Sequence, residues 1–148
     1  MLLNKSMTSS VYIVYKNKVL LHKHKKYKML FPLGGKMNKN EIPHETAIRE
    51  AYEESGLKIE LYYMENKFNL GSVIQLLNPM YTLLENVGKE VENIDFIYFA
   101  RTLTDVVNPQ KGESKELYWF TKEDIENNDT IKPHVKEMAL KALSTLKE

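Results

Sequence analysis

The chain contains no cysteine. Disulfides, thiolate nucleophiles and cysteine-based zinc sites are therefore excluded. Any bound metal must be held by oxygen or imidazole, which puts magnesium, manganese and calcium ahead of zinc. The four histidines, at 22, 24, 44 and 134, show no ligand spacing such as His-x3-His. No stretch reaches the ~18 apolar residues of a membrane-spanning helix. Residues 1–10 carry one lysine and no continuous apolar region, so they do not read as a signal peptide. A charge excess is missing too: 21 basic and 20 acidic residues leave a net charge of +1. That balance argues against a dedicated nucleic-acid partner. No repeat or low-complexity linker interrupts the chain. The lack of cysteine fits a reducing cytosol, and a cytoplasmic location is the expectation.

What is present is ordinary for a globular protein: 148 residues, 43% hydrophobic and 28% charged. That length fits one compact domain, 1–148, which buries roughly two-thirds of the surface its unfolded chain exposes. Residues 1–8 read as a loosely ordered lead-in, with Met7 as an alternative start. Residues 11–15 and 19–22 are rich in β-branched and apolar side chains and read as a hairpin turning at Asn17. Residues 29–33 are apolar, but Pro32 limits them to an edge or irregular strand, which Gly34-Gly35 then breaks. A helix is expected over 41–55, with Pro43 in its first turn and Gly56 as a left-handed cap. Residues 57–63 read as a strand, and 66–89 as one or two short strands and a long loop. Residues 94–103 form a strand buried on both faces. A polar loop at 108–114, a strand at 117–121 and a helical turn opening at Thr121 follow. The last helix, 133–146, carries an apolar stripe of Val135, Met138, Ala139, Ala142, Leu143 and Leu146. Hairpins beside single helices make an α/β protein with a mixed sheet covered by helices on its faces.

On the 41–55 helix, Glu50, Glu53 and Glu54 fall within an arc of about 100°, because i, i+3 and i+4 are neighbours. Ile48, Ala51, Tyr52 and Ser55 then take the core side. Arg49, one turn before Glu53, is placed to pair with it. Three carboxylates this close repel by a few tenths of a kcal/mol per pair. A divalent cation reverses that sign, and magnesium accepts such hard oxygen ligands while keeping waters for exchange. A solvated acidic face is the plainer explanation of the glutamates alone. The preceding Gly34-Gly35-Lys36 adds weight: glycine lets backbone approach a ligand, its Gly34 carbonyl is a further oxygen ligand, and Lys36 is a phosphate-reaching charge.

Gly35, five residues, Glu41, seven residues, then Arg49-Glu50-Ala51-Tyr52-Glu53-Glu54-Ser55-Gly56-Leu57 resembles the signature box of the Nudix (MutT-like) hydrolases. Every fixed position of Gly-x5-Glu-x7-Arg-Glu-U-x-Glu-Glu-x-Gly-U is filled, with Ala51 a small variant at the first aliphatic position U. The resemblance implies a Nudix-like α/β/α sandwich with a mixed sheet, a central carboxylate-bearing helix and a C-terminal amphipathic helix. It implies magnesium-dependent hydrolysis, with manganese as a substitute, of a nucleoside diphosphate linked to another moiety. Glu50, Glu53 and Glu54, with the Gly34 carbonyl, would hold the metal. Glu50 or Glu53 would orient or deprotonate the water. Gly35, Glu41, Arg49 and Gly56 would be structural, with Glu41 and Arg49 joining loop to helix. Two positions depart from the family's habit. Ile42 stands at the helix N-cap without a side-chain oxygen, at a cost of about 1 kcal/mol, offset in part if Glu45 bonds back. Leu33 separates Pro32 from the glycine pair.

Outside the box, the resemblance leads to a further metal-site glutamate at Glu113 or Glu116, with Glu116 preferred. The basic run 22–26 places Lys23 near the cleft as a phosphate contact, against a solvated hairpin end. Tyr27, Phe31, Phe68 and Trp119 could stack on a base; Tyr27 is the substrate candidate, and Phe31 and Trp119 read as core. Pro79 lies too far along for the ADP-sugar mark, and Tyr62, Tyr63 and Tyr81 do not clearly match that of dinucleoside-polyphosphate hydrolases. The small size favours a (deoxy)nucleoside triphosphate pyrophosphatase acting on a small-molecule nucleotide, as monomer or homodimer. The alternatives are an ADP-sugar or dinucleoside-polyphosphate hydrolase, or a non-catalytic nucleotide-binding module.

Overall fold

The computed structural model describes residues 4–63 and 69–148. Its elements run β1 (Asn4–Tyr15), β2 (Lys18–Lys23), β3 (Leu30–Phe31), β4 (Leu33–Lys36), α1 (Pro43–Ser55), β5 (Ile59–Leu61), β6 (Tyr81–Gly88), β7 (Val91–Thr102), β8 (Leu117–Phe120), α2 (Lys122–Glu126) and α3 (Pro133–Thr145). One mixed sheet has the order β3-β2-β1-β7-β5. β4 also pairs with β1, β6 with β7 and β8 with β2. The central pair, β1 and β7, is parallel from Asn4↔Val91 to Val14↔Arg101; the other pairings are antiparallel. Among the described residues no helix is long and apolar enough to cross a membrane.

Alternation along the two central strands sorts the core into two layers. Val11, Ile13, Tyr98 and Ala100 face α1, where they meet Ala47 and Ala51. Tyr12, Val14, Ile97 and Phe99 face the other way, onto the Val135, Met138, Ala139, Ala142, Leu143 and Leu146 stripe of the C-terminal helix. The sheet is thus sandwiched between helices, and the strand read as buried on both faces is so. Lys16 and Asn17 both adopt positive φ, 45° and 62°, in the two-residue turn joining β1 to β2. That is the geometry a tight hairpin turn requires. Asn17 also exchanges hydrogen bonds with Glu148, at 2.9 and 3.2 Å.

Four sequence expectations need correction. Residues 4–8 are no loose lead-in: they are strand, paired with β7 from Asn4 onward. Asn4 and Lys5 stay exposed, and the two buried polar side chains that follow, Thr8 and Ser9, are tolerated because their hydroxyls find acceptors. Thr8 bonds Asp95 at 3.0 Å, and Ser9 bonds the Pro43 carbonyl at 2.7 Å. Gly34 and Gly35 do not break a strand but lie inside β4, opposite Ser10 and Ser9. On α1, Ile48 and Tyr52 are exposed, while Thr46, Ala47, Ala51, Glu54 and Ser55 are buried. The inward stripe therefore runs 47, 51, 54, 55, which carries Glu54 into the interior. Residues 81–88 form a full edge strand rather than a short one. Phe68 lies outside the described residues.

Candidate active site

α1 is held from both ends. Pro43 opens it, and Glu45 Oε1 accepts the Ile42 N–H at 3.1 Å, half of a capping box since Ile42 returns nothing. Gly56, at φ 75°, closes it with its N–H on the Tyr52 carbonyl at 2.8 Å. The next orphan carbonyls, Ser55 and Glu53, accept the N–H groups of Asn108 at 2.7 Å and Gln110 at 2.9 Å. This fastens the 108–114 loop to the end of the carboxylate helix.

Arg49 spends all five guanidinium donors within this site. Nε and Nη2 grip Glu41 at 2.6 and 3.0 Å. Nη1 reaches Glu50 Oε1 at 2.9 Å and Glu53 Oε1 at 3.0 Å, and Nη2 reaches the Lys36 carbonyl at 3.1 Å. The hydrogen bond from Arg49 holds the Glu41 carboxyl down at about 2. One side chain thereby joins loop, strand and helix.

Glu54 sits deeper. Its Oε1 accepts the Gly34 N–H at 2.8 Å. In a strand the N–H and C=O of one residue point to the same side, so the Gly34 carbonyl also faces away from β1, toward Glu54. Burial raises the Glu54 pKa to about 9; the Gly34 N–H opposes, and the charges of Glu50, Glu113 and Glu53 add to the rise. Burial likewise raises Glu50, against the pull of Arg49. His22 Nε2 lies 4.0 Å from Glu54 Oε2, but burial lowers this imidazole to about 4, so it is neutral at pH 7 and no ion-pair partner.

The two glycines make room on different sides, Gly35 for a carboxylate and Gly34 for the β1 backbone. A Cβ on Gly35 would stand 2.5 Å from Glu50 Oε1 and 2.7 Å from its Cδ. A Cβ on Gly34 would collide with the Ser9 carbonyl and stand 2.8 Å from Ser10 Cα. Gly35 lets α1 lay Glu50 against the strand, and Gly34 lets β4 lie close on β1.

Among the described residues no three acidic or histidine side chains stand ready as a metal cage. Arg49 accounts for this by drawing Glu50 and Glu53 onto itself. The donor set nonetheless suits a hard divalent cation: Glu50, Glu53, Glu54 and the Gly34 carbonyl are all oxygen donors around a glycine cradle. A cation there would reverse the repulsion that now raises Glu54.

The structure parts the two candidate loop acids. Glu113 acts on both Glu50 and Glu54. Glu116 instead accepts the Tyr118 hydroxyl at 3.2 Å. Tyr118 is paired with Leu21, whose side chain packs in the α3 layer, so Glu116 is turned to the sheet face opposite α1. Of the two loop acids, it is Glu113 whose charge bears on the α1 carboxylates, while Glu116 faces away from them.

Across β4 from the carboxylates, on the α3 face, lies a cavity of about 390 Å³. Gly34 and Gly35 form part of its wall and so touch both cavity and acids. Tyr27 and Phe31 line it, as does His24; Lys23 and Lys36 are not among its lining residues, and Trp119 packs in the α1 layer. The cavity floor holds groups that sequence reasoning missed: Ser10, Thr8, Asp95 and Glu85, with Lys132 and His134 at the mouth. Asp95 had a signal, as the single acid within the apolar run 94–100.

A family model, the NUDIX domain, matches residues 5–141. The crystal structure of a Nudix-family hydrolase from Clostridium perfringens is 41% identical, covers 98% of this chain and 100% of its own, and superposes with a TM-score of 0.87. A MutT protein from Methanosarcina mazei is 17% identical over 100% of this chain and 99% of its own, with a TM-score of 0.74. An ADP-ribose pyrophosphatase from Streptococcus suis is 14% identical over 97% and 92%, with a TM-score of 0.61. No curated protein matches. The chain belongs to the Nudix family and is a hydrolase.

Proposed function

We propose that this Nudix hydrolase is a magnesium-dependent pyrophosphohydrolase whose substrate is a (deoxy)nucleoside triphosphate. The observation that carries the reading is the placement of a nucleoside-sized cavity directly across Gly34-Gly35 from Glu50 and Glu54. A cavity of this size falls in the ordinary range for a small-molecule site. A nucleotide with its base in the cavity would carry its phosphates past the glycine strand to the acids.

Nudix hydrolases use a divalent metal, and in this chain Glu50, Glu53, Glu54 and the Gly34 carbonyl would hold it. Bound there, such an ion neutralises charge on phosphoryl oxygens and acidifies bound water. Glu50 Oε2, the oxygen that Arg49 does not engage, takes the proton of the attacking water. Burial makes Glu50 more basic than a free carboxylate, which suits that task. Water adds to one phosphorus, the bridging P–O bond breaks, and two phosphate products leave. Arg49 keeps Glu50 and Glu53 in place by its anchor on Glu41. Tyr27 offers a ring at the cavity edge, and Lys36 and Lys23 would draw phosphates only by longer-range charge. The enzyme would work in the cytoplasm as a single-domain monomer or homodimer.

A panel of nucleoside triphosphates, oxidised dNTPs, ADP-ribose, other nucleotide sugars and dinucleoside polyphosphates, assayed with magnesium, tests the reading. Triphosphates should give the highest kcat/KM, and Glu53→Gln and Glu54→Gln should each abolish turnover in a folded protein. Wild-type turnover in both variants, or a nucleotide sugar as the best substrate, would overturn it.

A further inference from the structure

We infer that His24 is a substrate-binding residue whose Nε2–H donates a hydrogen bond to an oxygen of the bound nucleotide. This rests on the reading of the cavity as the nucleotide site.

The residues after β2 fold around this one imidazole. The His24 N–H donates to the Met29 carbonyl at 2.8 Å, and the His24 carbonyl accepts the Lys28 N–H at 2.9 Å. Lys28 takes a positive φ of 57° in this turn. Inside it, His24 Nδ1 accepts the backbone N–H groups of Lys26 at 3.1 Å and Tyr27 at 3.4 Å. A ring nitrogen that accepts carries no proton, and a neutral imidazole then carries it on the other nitrogen. Burial and the charge of Lys26 lower the His24 pKa, in keeping with a neutral ring. The turn thus fixes the tautomer and makes Nε2 a donor.

That donor is free. Among the described residues it meets no acceptor, and it is not sealed from solvent. Nδ1 is taken up by the backbone of its own turn, and Nε2 lies on the other side of the ring. The ring lines the cavity together with those of Tyr27 and Phe31, whose centres are 4.8 and 5.9 Å away. The His22 ring is 6.0 Å off, and His22 Nε2 lies 4.0 Å from Glu54 Oε2. A single imidazole therefore separates His24 from the metal-site acids. A nucleotide whose phosphates reach those acids passes its nucleoside end by His24. Lys23 and Lys36, the cations beside the glycine strand, do not line the cavity, which leaves His24 as a neutral donor at this point. A hydrogen bond from it to a charged oxygen is worth about 10-fold or more in affinity.

Two measurements test the inference. Long-range proton–nitrogen spectra of 15N-labelled protein should show the His24 proton on Nε2 at neutral pH. Calorimetry with AMP, GMP, CMP and UMP, each beside its own nucleoside, reads the contact. His24→Phe keeps a ring against Tyr27 and Phe31, and His24→Asn keeps an acceptor for the two backbone N–H groups. Both lose the Nε2 donor, so both should bind the tightest monophosphate about 10-fold or more weakly, with melting temperatures checked alongside. His24→Gln, which ends in an amide N–H of longer reach, should recover most of the loss. A loss confined to the monophosphate assigns the oxygen to the phosphate, and an equal loss for the nucleoside assigns it to the ribose or base. A proton on Nδ1, or unchanged affinity in both folded variants, would overturn the inference and leave the hydrolase reading intact. Failure of all four monophosphates to bind the wild type would remove the cavity reading, and this inference with it.

Discussion

Replacing the two adjacent glycines one at a time by alanine should damage different properties. In Gly35→Ala the new methyl stands 2.5 Å from Glu50 Oε1, whereas ordinary contact begins near 3.4 Å, so the carboxylate must retreat by about 0.9 Å (3.4 − 2.5). Glu50 is a side chain and can swing, so the fold survives. A shift of this size at a reacting group costs roughly 100-fold in rate. It also strains the 2.9 Å bond to Arg49. In Gly34→Ala the methyl meets the Ser9 carbonyl and Ser10 Cα, which are backbone and cannot swing aside. Overpacking of that kind costs about 1–3 kcal/mol or more. At ~2–4 °C per kcal/mol for a chain of this size, the melting temperature should drop by roughly 2–12 °C. Gly88→Ala, with nothing within 4 Å of its Cβ, is the stability control. The assay pairs steady-state kcat under saturating magnesium with a thermal melt of each variant. Wild-type kcat in Gly35→Ala, or a Gly34→Ala melt indistinguishable from the Gly88→Ala control, would refute the reasoning.

Three further outcomes are expected. Arg49→Lys leaves three donors where five are used, so kcat should fall at least ~10-fold and melting should occur earlier; unchanged kinetics would show that the fork is dispensable. Glu85 has a folded pKa above its unfolded value, so the folded state holds a proton the unfolded state has released. Its contribution is full below about 4.5 and is lost as pH rises toward about 9. Allowing for its partial exposure, the loss is of order 1–2 kcal/mol. Denaturant titrations from pH 5 to 9 should show this slope in the wild type and less of it in Glu85→Gln; parallel slopes would count against a proton held at Glu85. Glu54→Gln removes a buried carboxyl that burial and like charges penalise, so its metal-free melting temperature should be at least that of wild type. Its gain in melting temperature on adding magnesium or manganese should vanish, and a full metal-dependent gain would remove Glu54 from the ligand set.

The box was legible because each of its residues answers a local demand. Gly35 must make room, Arg49 must fork, and Gly56 must turn left-handed. The α3 stripe was legible for the same reason, since 3.6-residue periodicity is local. Long-range pairing was not. Residues 4–8 look like a tail because their side chains are polar, and only the acceptors offered by Asp95 and Pro43 make burial of Thr8 and Ser9 tolerable. The inward face of α1 was misjudged because Glu54 takes a place where an apolar residue was expected, and what satisfies it is a backbone N–H from another strand. Glu116 was preferred over Glu113 without the strand register that turns it to the far face. That Glu85 and Asp95 share the cavity floor was invisible because it follows only from the β6–β7 register.

The parallel pairing of β1 with β7 bears on how the chain comes to fold. Thr8 and Asp95, partners across this pair, are 87 positions apart in sequence. Closing a loop of that length costs roughly 4 kcal/mol of chain entropy before any contact rewards it. During synthesis the hairpin of β1 with β2, and the antiparallel addition of β4, need only nearby residues and can form early. The other edge of β1 has no partner until β7 has left the ribosome. For that interval a strand carrying Val11 and Ile13 presents an open edge, the kind of surface that chaperones shield. Substitutions that speed the β6–β7 hairpin should shorten that interval and raise soluble yield, without altering any group that touches substrate.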